Sequence, residues 1–157
     1  MRLNIRLLRQ EDERYVAGIM SGYSLQFPPF VVDRYPQRWS NFLQDASRCA
    51  YYVATTDSNE VTGHAGFLFN EEVGLYEIVG VAVSNSYQRH GIGKRLIYTI
   101  CNKLQEFGAN AVILYTLGHT GTEDTLTFYR SIGFEMLDYE KDYFETSFDR
   151  VTFVKTL

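Results

Sequence analysis

At 157 residues, 45% of them hydrophobic and 15% aromatic, the chain is long enough for one domain with a substantial core and too short for two. Its formal net charge of -4 argues against a general binder of nucleic acid or anionic membrane, since either needs clustered positive charge to displace counterions. The 2 cysteines, Cys49 and Cys101, have neither metal-ligand spacing nor a repeated framework, which argues against a zinc site or a disulfide scaffold.

Leu3, Ile5 and Leu7 alternate with polar neighbours, the period of a half-buried strand over 1–8. The run Gln10-Glu11-Asp12-Glu13 then suits the start of a helix over 11–20, where acidic groups meet the positive end of the dipole. These opening residues lack a basic segment followed by an apolar one, and no later apolar run approaches a membrane span, so a soluble, cytoplasmic protein is expected. Residues 21–36 hold all 3 prolines, with Tyr23, Phe27, Phe30 and Tyr35 among them, and read as a short broken-helix loop. A second helix over 37–47 places Trp39, Phe42 and Leu43 on one side, as a helix covering a sheet requires.

Residues 49–55 and 61–69 read as a hairpin joined through Asp57-Ser58-Asn59-Glu60, and 74–83 as a third strand, near-continuously apolar in its second half. Ile92, Leu96, Ile100 and Leu104 recur every four residues, Ile97 and Cys101 widen the stripe, and Gly108 stands where a helix ends, predicting a helix over 92–107. A buried strand over 109–117 completes a βαβ unit with a right-handed crossover and therefore a parallel strand pair. A short helix over 122–131 and an antiparallel pair, 134–143 and 150–157, finish the chain. The expected fold is α/β (α+β), one domain over 1–157, with a mixed, mostly antiparallel sheet and one parallel βαβ unit.

The chemistry concentrates at Gln88-Arg89-His90-Gly91-Ile92-Gly93, between the apolar run 78–83 and the amphipathic run 92–107. A strand that turns through two glycines into a helix aims unpaired N–H groups and the positive end of a helix dipole at one point, which is a phosphate site. A P-loop would need Ser or Thr where Arg95 follows Lys94, and a dinucleotide fingerprint would need glycine where Leu96 stands. After the next strand comes Phe128-Tyr129-Arg130-Ser131-Ile132-Gly133-Phe134. With this pair of motifs the chain resembles the GNAT family of N-acetyltransferases over nearly its whole length. The resemblance implies a central sheet of about six to seven strands with about four helices, and acetyl-CoA as acyl donor.

What the resemblance implies for individual residues is specific. The amides and side chains of Gln88, Arg89, His90, Gly91, Ile92, Gly93, Lys94 and Arg95 would hold the pyrophosphate of coenzyme A. Charge-assisted hydrogen bonds contribute roughly 1.5–3 kcal/mol each, so a handful can hold the cofactor without a metal. The reading of Gly91 and Gly93 as mere aids to helix–strand packing stays open beside it. Gly80, a lone glycine in a β-branched strand, marks a bulge or a close approach of backbone, or packing alone. In the family that strand splays from its parallel neighbour and pantetheine bonds in the gap, which assigns the main chain of Val81, Ala82 and Val83.

An acceptor ammonium with a pKa near 10.4 is neutral at pH 7 in only about one molecule in 2,500, so a base or a desolvating pocket is needed. Glu77 stands where several family members carry that base, and a solvent-facing role at the strand start is its alternative. Tyr129 occupies the family's general-acid position, where a phenol protonates the leaving thiolate. Relatives place Asn and Ala seven and four residues before that tyrosine, whereas Thr122 and Thr125 stand here. Thr122 and Phe128 are assigned to the cofactor.

The acceptor is expected between 21–36 and 140–148, where Tyr23, Phe27, Phe30, Tyr143 and Phe144 form an apolar or cation-accepting wall or else plug the core. A small-molecule or peptide amine is the expected partner, with no nucleic acid and no membrane, and a homodimer is compatible with the sequence. His64, His90 and His119 form no ligand cluster, and no metal is expected. A non-catalytic acyl-CoA sensor and a nucleotide-binding regulatory module are the competing readings.

Overall fold

The computed structural model describes residues 2–118, 123–146 and 148–157. Seven strands form one sheet in the order β1-β2-β3-β4-β5-β7-β6. They are β1 (Leu3–Leu7), β2 (Cys49–Thr56), β3 (Val61–Asn70), β4 (Leu75–Val83), β5 (Ala111–Leu117), β6 (Glu135–Glu145) and β7 (Phe148–Thr156). Among the described residues the β4–β5 pair is the one parallel pair, as the βαβ reading of 74–117 requires, and the other neighbours are antiparallel. The helices are α1 (Glu13–Ser21), α2 (Pro29–Val32), α3 (Tyr35–Gln44), α4 (Ile92–Glu106) and α5 (Glu123–Ser131), of which α2 is a single turn of 4 residues.

Two helix starts differ from the sequence reading, each for a local reason. Residues Gln10–Asp12 form a 3-10 turn before α1, because the Asp12 carboxylate folds back to accept the Arg9 amide at 2.8 Å and the Arg6 guanidinium at 2.7 and 2.9 Å. Burial pushes the Asp12 carboxyl up, yet the Arg6 and Arg9 hydrogen bonds outweigh it and hold the group below its ordinary range. Helix α3 begins at Tyr35 rather than at 37, since Pro36 falls in its first turn, where a missing N–H costs nothing. The earlier start also rotates its buried face: Tyr35, Trp39 and Phe42 are inside, and Leu43, expected among them, is 45% exposed.

Successive residues of β3 face opposite sides of the sheet. Gly63 lies under Ile92 and Leu96 of α4, while the next residue, His64, meets Trp39 of α3. The sheet is thus covered on both faces, and α4, buried through Ile92, Leu96, Ile97, Ile100, Cys101 and Leu104, supplies the larger apolar surface. Pairing between β4 and β5 runs only from Tyr76↔Val112 to Ile78↔Leu114. Beyond Ile78 the two strands part, and that gap sets the position of the site.

Candidate active site

The gap originates at Gly80. Between His64↔Ala82 and Gly66↔Val79 the register slips, so β4 carries one residue more than β3, with Gly80 at φ 68. The sequence reading of a bulge there holds. Its carbonyl is tied down from behind, because His64 Nδ1 lies 2.7 Å from the Gly80 oxygen and the Trp39 indole N–H donates to His64 Nε2 at 3.0 Å. An indole can only donate, so Nε2 accepts and the proton sits on Nδ1, donated to Gly80. Burial draws the His64 pKa down from 6.5 to about 4, against the small upward pull of the Gly80 carbonyl.

His64 is fully buried and neutral, which makes the bulge acid-sensitive. In the unfolded chain it binds a proton below about pH 6.5, while the folded chain resists protonation down to about pH 4. Its stabilising effect is therefore complete above pH 6.5 and is lost as pH falls toward 4, by on the order of 3 kcal/mol. Glu77, whose folded pKa is raised, acts in the opposite sense, so urea unfolding of the Glu77→Gln variant is compared between pH 6.5 and 5, where Asp12, held low, stays ionised. A flat stability profile between pH 6.5 and 5 would remove this assignment.

One side of the gap is the glycine turn. Gly91 caps α4 in the left-handed region, φ 71 and ψ 19, and Arg89 shares that conformation at φ 67. The first intrahelical bond here is Arg95 N–H to Gly91 C=O at 3.0 Å, which leaves the amides of Ile92, Gly93 and Lys94 without helical acceptors. They face a groove of about 810 Å³ whose lining includes Val81, Ala82, Val83, Gln88, Arg89, Gly91, Ile92, Gly93, Lys94 and Phe128. A cavity of this size is in the range that holds cofactors. Gly93 lets this wall close up, since a Cβ there would lie 3.3 Å from the Phe128 ring, a tight contact that the ring would have to yield to.

Not every residue assigned to the cofactor comes to this groove. The Arg95 guanidinium turns to the Leu3 carbonyl at 3.3 Å, and its amide is consumed by the helix. His90 is exposed beside the Tyr87 ring and does not line the groove. Thr122 and His119 lie outside the described residues. Tyr23, assigned to the acceptor, stands on the groove side instead: its hydroxyl donates to the Val83 carbonyl at 2.5 Å and receives Gln88 Nε2 at 2.5 Å.

On the other side of the gap is a smaller cavity of about 100 Å³, with Glu77, Phe27, Phe144, Tyr115, Arg34 and Arg38 in its wall. Phe30 lies tilted against Phe144 at 5.8 Å and edge-on to Phe148 at 5.7 Å without lining it, and Tyr143, 49% exposed, lies under the Arg150 guanidinium at 3.7 Å. Burial pushes the Glu77 carboxyl above the ordinary carboxylate range, against the Asn70 amide at 3.1 Å and the Arg38, Arg34 and Arg150 charges. Gln26, Val81, Thr125 and Tyr129 line both cavities. Tyr129 is held there by rings of Phe128, Phe134 and Phe153 at 5.3, 5.8 and 5.7 Å, and burial pushes its phenol up.

Sequence reasoning missed Gln26, Arg34, Arg38 and Tyr115. Gln26 Nε2 donates to Thr125 Oγ1 at 2.5 Å, bridging the loop after α1 to α5. Nothing in sequence spacing announces that contact. Arg34 and Arg38, by contrast, were readable as an i, i+4 pair once the helix is known to begin at Tyr35.

The sheet is thus split at its parallel pair, with the N-terminus of α4 on one side of the gap and a buried carboxylate on the other. The chain belongs to the acetyltransferase (GNAT) family, whose model matches residues 16–134. It is 30% identical over 104 residues to the N-alpha-acetyltransferase RimI of Mycobacterium tuberculosis, covering 65% of this chain and 63% of that protein. Two other curated relatives are matched over 26% and 48% of their lengths, so the chain spans less than two thirds of each of these three curated relatives. Among solved structures, an acetyltransferase of the GNAT family from Desulfovibrio desulfuricans superposes with a TM-score of 0.85 at 20% identity, covering 99% of both chains. The ribosomal-protein-alanine N-acetyltransferase of Brucella melitensis gives 0.76 at 20% identity over 98% of this chain and 99% of its own. These likenesses establish the fold. Among the described residues no helix is long and apolar enough to cross a membrane.

Proposed function

We propose that the chain is an N-acetyltransferase that passes an acetyl group from acetyl-CoA to a primary amine by direct attack within a ternary complex. One observation carries this reading: Tyr129 and Val81 stand in the wall common to a groove large enough for a nucleotide carrier and a small cavity that holds a buried carboxylate. The free amides of Ile92, Gly93 and Lys94 at the positive end of α4 fit a diphosphate. The edge of β4 that β5 leaves beyond Ile78 fits the extended amide arm of pantetheine, which would bond to it as a strand does up to Val83, whose carbonyl already accepts Tyr23.

In the small cavity the Glu77 carboxylate accepts a proton from the acceptor ammonium, directly or through water. The neutral nitrogen attacks the thioester carbonyl, a C–N bond forms and the C–S bond breaks. Tyr129 gives its hydroxyl proton to the departing thiolate, the nitrogen of the adduct sheds its second proton to solvent, and the phenolate regains one from solvent. Desolvation suits both partners, since a raised carboxyl is a stronger base and the apolar ring shell around Tyr129 keeps the phenol protonated until the thiolate develops. The two free cysteines fit a reducing cytosol, where acetyl-CoA is available. The acceptor belongs to the class of small-molecule or peptide amines. The relatives' names point to ribosomal-protein alanine in some cases and to spermidine in another.

Replacement of Tyr129 by Phe tests the assignment. Thiol release should fall by roughly 10²-fold or more while coenzyme A binding, followed by calorimetry, stays close to wild type. Unchanged turnover would strike Tyr129 from the mechanism, and absence of coenzyme A binding by the wild-type chain would end the reading as a whole.

A further inference from the structure

We propose that the acceptor is a small amine that carries its own acidic group, of the α-amino acid type, and that Arg34 and Arg38 bind the acid while Glu77 takes the amine. The proposal deepens the acetyltransferase reading and rests on it. It starts from a charge count in the small cavity. Among the described residues that line it, Glu77 is the only carboxylate, whereas Arg34, exposed, and Arg38, partly buried, are both cationic. Three arginines act on Glu77 by charge, namely Arg38, Arg34 and Arg150.

Only one of the three is compensated elsewhere. Arg150 donates to Glu140 from Nε at 2.9 Å and from Nη2 at 2.7 Å and lies against the Tyr115 and Tyr143 rings. Arg34 and Arg38 make no ion pair among the described residues. Arg34 lies 5.9 Å from the Phe144 ring centre and Arg38 lies 5.1 Å from that of Tyr35, contacts that orient a guanidinium without neutralising it. With Glu77 ionised the wall still carries one uncompensated positive charge, and with Glu77 protonated it carries two.

A cavity built for a bare polycation would have the opposite balance, because a second ammonium would be repelled by whichever arginine it approached. A zwitterion resolves both demands. Its ammonium goes to the carboxylate, and its carboxylate takes the paired donors of a guanidinium, whose fork matches two oxygens. The cavity, about 100 Å³, is small beside the groove and suits a compact acceptor. Arg34 sits at the start of α3 and Arg38 one turn on, so the two present a single anion-binding face.

The test uses the intact chain with acetyl-CoA and three sets of acceptors: free L-amino acids, the matching amino acid amides, and spermidine, each followed by thiol release. The acids should exceed their amides in kcat/KM by about tenfold or more. Arg34→Gln and Arg38→Gln should each lower the acid-over-amide ratio of kcat/KM by about tenfold, a ratio in which any change in the Glu77 base cancels. Amides or spermidine used as well as the acids, or acids not used above background, would overturn the proposal and leave the acetyltransferase reading in place. A parallel calorimetric titration with coenzyme A that shows no binding would overturn both, which tells the two failures apart.

Discussion

Gly80→Ala should unfold or collapse the site more thoroughly than any conservative change at the catalytic residues. A Cβ at this position would lie 2.8 Å from His64 Cε1, 2.8 Å from Tyr35 Cε1 and 3.0 Å from His64 Nδ1, on a backbone at φ +68. His64 and Tyr35 are both buried, and His64 is bonded at both ring nitrogens, so neither ring can swing aside. Overpacking of this sort costs roughly 1–3 kcal/mol, and left-handed backbone a further 1–2 kcal/mol, for a total near 3 kcal/mol or more. Gly74→Ala is the matched control, since it has φ +70 with nothing within 4 Å of its Cβ and should show the backbone cost alone. Urea unfolding of the two variants beside wild type measures the difference. Equal losses at both positions would mean that the packing behind the bulge is soft and that His64 does not hold the gap open.

Glu77→Gln should lower turnover by about 10²- to 10⁴-fold, the usual contribution of a positioned base, with little change in coenzyme A affinity. The pH profile separates this from a merely structural role. Burial raises the Glu77 pKa above its ordinary 4.5, and the base must be ionised, so wild-type kcat/KM should climb with pH along a limb displaced upward from ordinary carboxylates. The Gln variant should lose that limb and keep only the rise that comes from the acceptor amine itself. A Gln variant within about threefold of wild type, with an unaltered profile, would show that desolvation of the acceptor suffices and that Glu77 only shapes the cavity.

The buried carboxylate was half legible in advance. A glutamate opening an apolar strand stands out in the sequence, but strand position alone leaves it facing either water or a cleft. Asn70 at 3.1 Å, the neighbouring guanidiniums and the parting of β4 from β5 decide the matter, and all of them come from elsewhere in the chain. Tyr23 shows the reverse. It was grouped with Phe27 and Phe30 because the three share one proline-broken segment, yet its hydroxyl reaches Val83 and Gln88 on the far side of the gap. A segment without regular period does not announce which way each aromatic points.

What the sequence determined by itself are the features that depend on neighbours along the chain. The apolar stripe of α4, the glycine turn at its head, the hairpin of β2 and β3 and the Gly80 bulge are encoded by periodicity and by residues with special backbone freedom. Tertiary structure alone decided which charges meet. The pairing of Arg150 with Glu140, the isolation of Arg34 and Arg38 beside Glu77, and the turning of Arg95 toward Leu3 follow from how distant elements pack. Electrostatic partners are chosen in space over a few ångströms, and local pattern carries no record of that choice.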